Sequence, residues 1–89
     1  MVDNFIVLET ARKELHQAIC YFELYNRSTH FIKDFESQIE IIKNMPYGFQ
    51  VRYKQVRIIS FNHFQYTIHY KIEDTTVYIL HVLNQSQSY

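Results

Sequence analysis

Tyr66-Thr67-Ile68-His69-Tyr70-Lys71-Ile72 alternates apolar and polar side chains at a period of two. Successive side chains of a strand point to opposite faces, so Tyr66, Ile68, Tyr70 and Ile72 share one side and Thr67, His69 and Lys71 the other. The run therefore reads as a strand whose apolar face packs beneath another part of the chain. The runs on either side, Val56 to Phe61 and Thr76 to Leu83, are also rich in β-branched and aromatic residues. Asn62-His63-Phe64-Gln65 and Glu73-Asp74-Thr75 are polar links of a length that suits antiparallel hairpins. A three-stranded antiparallel meander is expected.

Upstream the period changes. Ala11, Leu15, Ala18, Ile19 and Phe22 recur at three- and four-residue spacing, with Arg12, Lys13, Glu14 and Glu23 on the other side, which predicts an amphipathic helix starting at Ala11 with Thr10 as its cap. Asn26-Arg27-Ser28 interrupts it, and Ser28 or Thr29 is placed to cap a second helix through Phe31, Phe35, Ile39 and Ile42. Asn44-Met45-Pro46-Tyr47-Gly48 closes the pair: the residue before a proline is driven out of the helical region, and Gly48 permits a positive φ. Phe5-Ile6-Val7-Leu8, at the start, suits a short buried strand. The expected fold class is α+β, in which an N-terminal strand, an antiparallel two-helix hairpin and the meander build one small sheet with the helices on one face.

Eighty-nine residues suit a single domain over 1–89, and eight Tyr and seven Phe supply a core without staples. Cys20 is alone, so no internal disulfide forms, and the chain carries neither a signal-peptide pattern nor an apolar run of about 20 residues that spans a bilayer; a cytoplasmic protein with no membrane contact is expected. Gly48 is the only glycine, which excludes the glycine-rich phosphate loops and leaves no nucleotide cofactor implied. His16 and Cys20 share a helix face without a third ligand, and His63, His69 and His81 lack zinc spacing, so no metal or other cofactor is expected. No Ser or Cys nucleophile constellation accompanies these histidines.

Charge is divided along the chain. Met1 to Glu40 holds seven carboxylates against four Lys and Arg, whereas Ile41 to Ile72 holds five Lys and Arg and no carboxylate. Arg52, Lys54 and Arg57 stand among Tyr47, Phe49 and Tyr53, a mixture of cations and flat rings that suits an anionic partner. At strand spacing Arg52 and Lys54 share a face, with Arg57 opposite unless a bulge intervenes. His63, in the loop after the first meander strand, and Lys71 complete the candidate target-binding set. Two helices do not cover such a sheet, so Tyr78, Leu80 and Val82 are expected to be left open to an added helix or strand from a partner.

In order and in local sequence the chain resembles the RelE/ParE superfamily of toxins from bacterial type II toxin–antitoxin systems, also known as plasmid stabilisation proteins. Ala11-Arg12-Lys13-Glu14-Leu15 through Tyr21-Phe22-Glu23 is similar to the family's opening helix, and Met45-Pro46 stands at its loop proline. Arg52-Tyr53-Lys54-Gln55-Val56-Arg57 resembles its basic lead-in to a strand, and Phe64-Gln65-Tyr66-Thr67-Ile68-His69-Tyr70 its Phe-Pro-Tyr-x-Ile-x-Tyr strand. The resemblance implies a toxin neutralised by a cognate antitoxin. RelE-like members carry an Arg where Thr67 stands, and a His followed by an Arg where this chain has Asn84 and Gln87; Tyr89 matches the terminal Tyr of some of them. The depleted cation set places the chain closer to ParE-like members, which the resemblance implies bind DNA gyrase. The alternatives are a RelE-like ribosome-dependent mRNA endonuclease, with Arg52, Lys54 and Arg57 as catalytic candidates in contact with RNA, and a non-toxic relic that keeps only antitoxin binding. A homodimer is compatible with each.

Overall fold

The computed structural model describes residues 3–85. Its elements are β1 (Asn4–Val7), α1 (Glu9–Glu23), α2 (Ser28–Asn44), β2 (Val51–Tyr53), β3 (Val56–Ser60), β4 (Tyr66–Glu73) and β5 (Thr76–Asn84). The strand order is β1-β5-β4-β3-β2. Strands β2 to β5 pair antiparallel with their sequence neighbours, while β1 lies parallel to β5 with Asn4 opposite Thr76 and Val7 opposite Ile79. The sheet is thus mixed and five-stranded, larger than the expected meander plus one strand. The added strand is β2, which folds back on β3 through a two-residue turn.

That turn explains why β2 escapes a pattern search. Lys54 and Gln55 both take positive φ, 42° and 68°, the backbone that a tight hairpin needs and that Asn-Gly pairs normally signal. Here two ordinary side chains carry it. A bulge between Val51 and Tyr53 adds twist to the same strand. Gly48 behaves in the opposite way to expectation. No glycine has positive φ; the residue is small because a Cβ there would stand 3.2 Å from the Met45 carbonyl oxygen and 3.2 Å from its Cβ.

The helices begin and end differently from expectation. α1 starts at Glu9, with Leu8 as its N-cap and no side-chain cap, so Thr10 lies inside the first turn. The Leu8 carbonyl accepts the Arg12 N–H, and Glu9 sets a carboxylate at the positive end of the helix. α1 closes on a Schellman pattern: Asn26 N–H bonds Glu23 O, Arg27 N–H bonds Phe22 O, and Asn26 takes φ 57° in the place usually held by glycine. The chain then enters α2 through Arg27, and neither Ser28 nor Thr29 caps it. The α2 exit follows the proline rule, with Met45 at φ −139° and ψ 65°.

The core lies between the helices and one face of the sheet. Ala11, Ala18, Phe31 and Ile42 from the helices meet Ile59, Ile68, Tyr70, Val77, Ile79 and Val82 from the strands. Toward the β3–β4 loop this core becomes aromatic, with Phe31 stacked on Phe22 and Phe61 at centroid distances of 5.0 Å and edge-on to Phe64 at 5.1 Å. On β5 the inward residues are Val77, Ile79 and then Val82, because Leu80 is an unpaired extra residue between the Tyr70–Ile79 and His69–His81 pairs. The bulge inverts the alternation. Val82 is consequently only 2% exposed and lies in the core, contrary to its expected place on the open surface; Tyr78 and Leu80 are half-buried. Among the described residues, no helix is long and apolar enough to cross a membrane.

Candidate functional site

The β2–β3 hairpin gathers Arg52, Lys54 and Arg57 within six residues at one edge of the sheet. Arg52 sits in the bulge and Lys54 in the turn, both exposed; Arg57 lies across from Val51. Lys54 is therefore not a strand residue sharing a face with Arg52, as strand spacing alone suggests. Among the described residues no carboxylate pairs with any of the three, whereas Arg12 and Lys13 lie 3.6 and 4.0 Å from Glu9. A cation left without a counter-ion keeps its charge available to a partner.

Two anchors hold the hairpin, one on each face of the sheet. On the helix side Arg57 donates from Nη1 to the Phe49 carbonyl and lies over the Tyr47 ring, 5.2 Å from its centroid. Its cross-strand neighbour Tyr70 donates its hydroxyl to the Pro46 carbonyl at 2.8 Å. Burial pushes the Tyr70 phenol up to about 12, the nearby Arg57 charge opposing part of that rise, so the hydroxyl stays a donor. Arg57 and Tyr70 together strap the loop after α2 against the sheet. Arg57 is spent on that strap, and among the described residues Arg52 and Lys54 are left without a counter-ion.

On the other face Tyr53 reaches inward from β2 to His69 on β4. The Tyr53 hydroxyl lies 2.9 Å from His69 Nδ1, and His69 Nε2 lies 3.1 Å from Thr67 Oγ1, which stands 3.4 Å from the Leu83 carbonyl. One assignment fits the whole chain: Tyr53 donates to Nδ1, Nε2–H donates to Thr67, and Thr67 donates to Leu83 O. His69 is fully buried. Burial lowers its pKa first, the neighbouring His81 adds to the lowering, and Glu14 opposes it. A protonated ring has no lone pair to accept the Tyr53 hydroxyl, so the network holds the neutral form.

The remaining expected site residues are dispersed. Lys71 lies 3.3 Å from Glu73 and over the Tyr78 ring, so its charge is matched locally. His63 stands at the far end of β3 from the hairpin turn, with its backbone N–H held at 2.7 Å by Asp34 Oδ2. Its side chain belongs to a different region from Arg52 and Lys54. Asn84 ends β5, while Gln87 and Tyr89 fall outside the described residues. His16 and Cys20 do meet, at 3.6 Å, and among the described residues no group of three His, Cys, Asp or Glu is placed to hold a metal.

Sequence reasoning missed Asp34. It is 4% exposed, and it accepts the N–H groups of Asn62 and His63 at 3.1 and 2.7 Å and the Gln38 amide at 3.2 Å. The signal is present in the spacing: Phe31, Asp34, Gln38 and Ile42 form one stripe, and all four are buried. It missed the anchoring role of Tyr53 as well, although a Tyr between two cations on an edge strand is the residue able to hold them in place.

A family model described as the ParE toxin of the type II toxin–antitoxin system, parDE, matches residues 5–89. No curated protein matches the sequence. Among solved structures, a chain of the chromosomal ParDE toxin–antitoxin system from P. aeruginosa superposes with a TM-score of 0.76 at 12% identity, covering 94% of this chain and 96% of that one. At that identity the likeness is one of fold.

Proposed function

Since this chain belongs to the ParE toxin family of type II toxin–antitoxin systems, we propose that it is the toxin of such a pair, acts by binding DNA gyrase, and is silenced by a cognate antitoxin. The observation that carries binding over chemistry is the state of Thr67 and His69. RelE-like nucleases place an Arg at the position of Thr67; here Thr67 is 3% exposed, His69 is buried beside it, and both are committed to hydrogen bonds within the sheet. A buried neutral imidazole between two hydroxyls has no path to a scissile phosphate.

The surface presented to the target is the β2–β3 hairpin, with Arg52 and Lys54 as contacts and Arg57 as a positioning residue. Tyr47, 64% exposed, and Met45, 55% exposed, flank it and add the aromatic and flexible apolar surface that protein interfaces favour. The antitoxin is assigned to the half-buried face of β5 around Tyr78 and Leu80.

Purified protein should block gyrase supercoiling and accumulate cleaved DNA, and the product of the adjacent reading frame should reverse both effects. Arg52→Glu with Lys54→Glu should abolish inhibition while leaving antitoxin binding and thermal stability intact. Codon-specific mRNA cleavage in a translation extract, with supercoiling unaffected, replaces this reading with the RelE-like one. Antitoxin binding without either activity identifies a relic.

A further inference from the structure

A second cationic region lies at the opposite end of β3. Arg27 from the turn between the helices, His30 and Lys33 from α2, and His63 from the β3–β4 loop line a groove of about 450 Å3, with Ser37 on its wall. Among the described residues Asp34 is the one carboxylate on its lining. That charge is buried and taken up by two backbone N–H groups and the Gln38 amide, and its effect is to pin the loop carrying His63 against α2. Arg27 is held over the Phe64 ring at 4.6 Å, and among the described residues no carboxylate pairs with Arg27 or Lys33. The groove gathers donors from three segments, with two cations against one buried carboxylate, and its members come from both halves of the sequence, including the half that is acidic in aggregate.

From these features we infer that the groove binds the phosphate backbone of duplex DNA. His30 and Lys33 stand on one face of α2, about 4.5 Å apart along its axis, and Arg27 and His63 line the same groove from two other segments, while the Ser37 hydroxyl donates to the Lys33 carbonyl at 3.0 Å. Donors that converge in this way suit the diester oxygens of a phosphate backbone. Single strands are bound through rings that stack on bases. The ring available here, Phe64, is 8% exposed and already covered by Arg27, so the groove reads the backbone and not unpaired bases. The biological sense of the interaction rests on the gyrase reading, since gyrase acts on a duplex that a bound toxin would then touch directly.

The test needs no gyrase. A short fluorescent duplex is titrated with the full chain by anisotropy at low salt and again across about 50–200 mM salt. Lys33→Glu, at an exposed position, should weaken binding about tenfold or more, and His63→Ala should weaken it without altering the far-ultraviolet spectrum; the salt slope should fall by about one for each phosphate no longer neutralised. Arg12→Glu, the same charge change on the outer face of α1, should have little effect. Absence of duplex binding at low salt overturns the inference. So does an equal weakening in the Arg12 variant, which would mean attraction by bulk charge, or equally strong competition by poly-glutamate, which would mean an acidic protein segment. If the duplex binds as described but gyrase is not inhibited, the groove stands and the gyrase reading falls.

Discussion

Asp34 carries more of this structure than its place in a helix suggests. Its two oxygens satisfy the N–H groups that turn the chain from β3 toward β4, and removing them strands those donors in a partly buried loop. Asp34→Ala should lower the unfolding free energy by about 2–4 kcal/mol in urea titrations. Asp34→Asn should fall between that and the parent, because an amide keeps one acceptor and offers a second donor where one is not wanted. The site is hard to read because a mid-helix Asp ordinarily faces water; only its membership of the Phe31–Ile42 stripe gives it away. His69 makes a second prediction at this scale. Its folded pKa lies below the unfolded value near 6.5, so the unfolded chain takes up the proton first as pH falls. The stability it contributes is complete above that unfolded value and drains away on acidification toward the lower folded pKa. Melting temperature should therefore decline between pH 7 and pH 5, and His69→Gln should flatten that part of the profile. An unchanged slope in the variant would place the pH dependence elsewhere.

Among the elements, the hairpin turn is the least comfortable. Gln55 sits at φ 68°, where a side chain costs about 1–2 kcal/mol, and glycine returns part of that as chain entropy in the unfolded state. Gln55→Gly should accordingly stabilise the protein by about 0.5–1 kcal/mol in denaturant titrations, without changing Lys54. The long strands are legible because Tyr66 to Ile72 alternates with the period of the pleat and Val56 to Phe61 is rich in β-branched and aromatic residues. β2 is not, since three residues with an unusual turn leave no period to detect. Nor is the Leu80 bulge, which no local pattern announces; it moves Val82 from the expected surface into the core. The Pro46 boundary and the two helical stripes are plain from steric rules, whereas the caps are not, because Leu8 and Arg27 open their helices without side-chain help.

For the whole molecule, the pairing of β1 with β5 is the feature with the widest reach. Strand order is fixed by what remains uncovered once every element has packed, so no inspection of Phe5 to Leu8 alone reveals that it will lie parallel to Thr76 through Ile79. Contacts between such distant segments delay folding, and refolding in stopped-flow experiments should take milliseconds to seconds, slower than helical bundles of like size. The mixed sheet also retains two unpaired borders among the described residues, at β1 and β2, and only the second bears the free cations. Biosynthesis feels the same constraint. On a ribosome adding about 5–20 residues each second, the first strand emerges seconds before the one it must lie against. A nascent copy is therefore denied its finished shape until Thr76 to Ile79 have cleared the exit tunnel, and on the function proposed above that delay is an interval in which the antitoxin can arrive first.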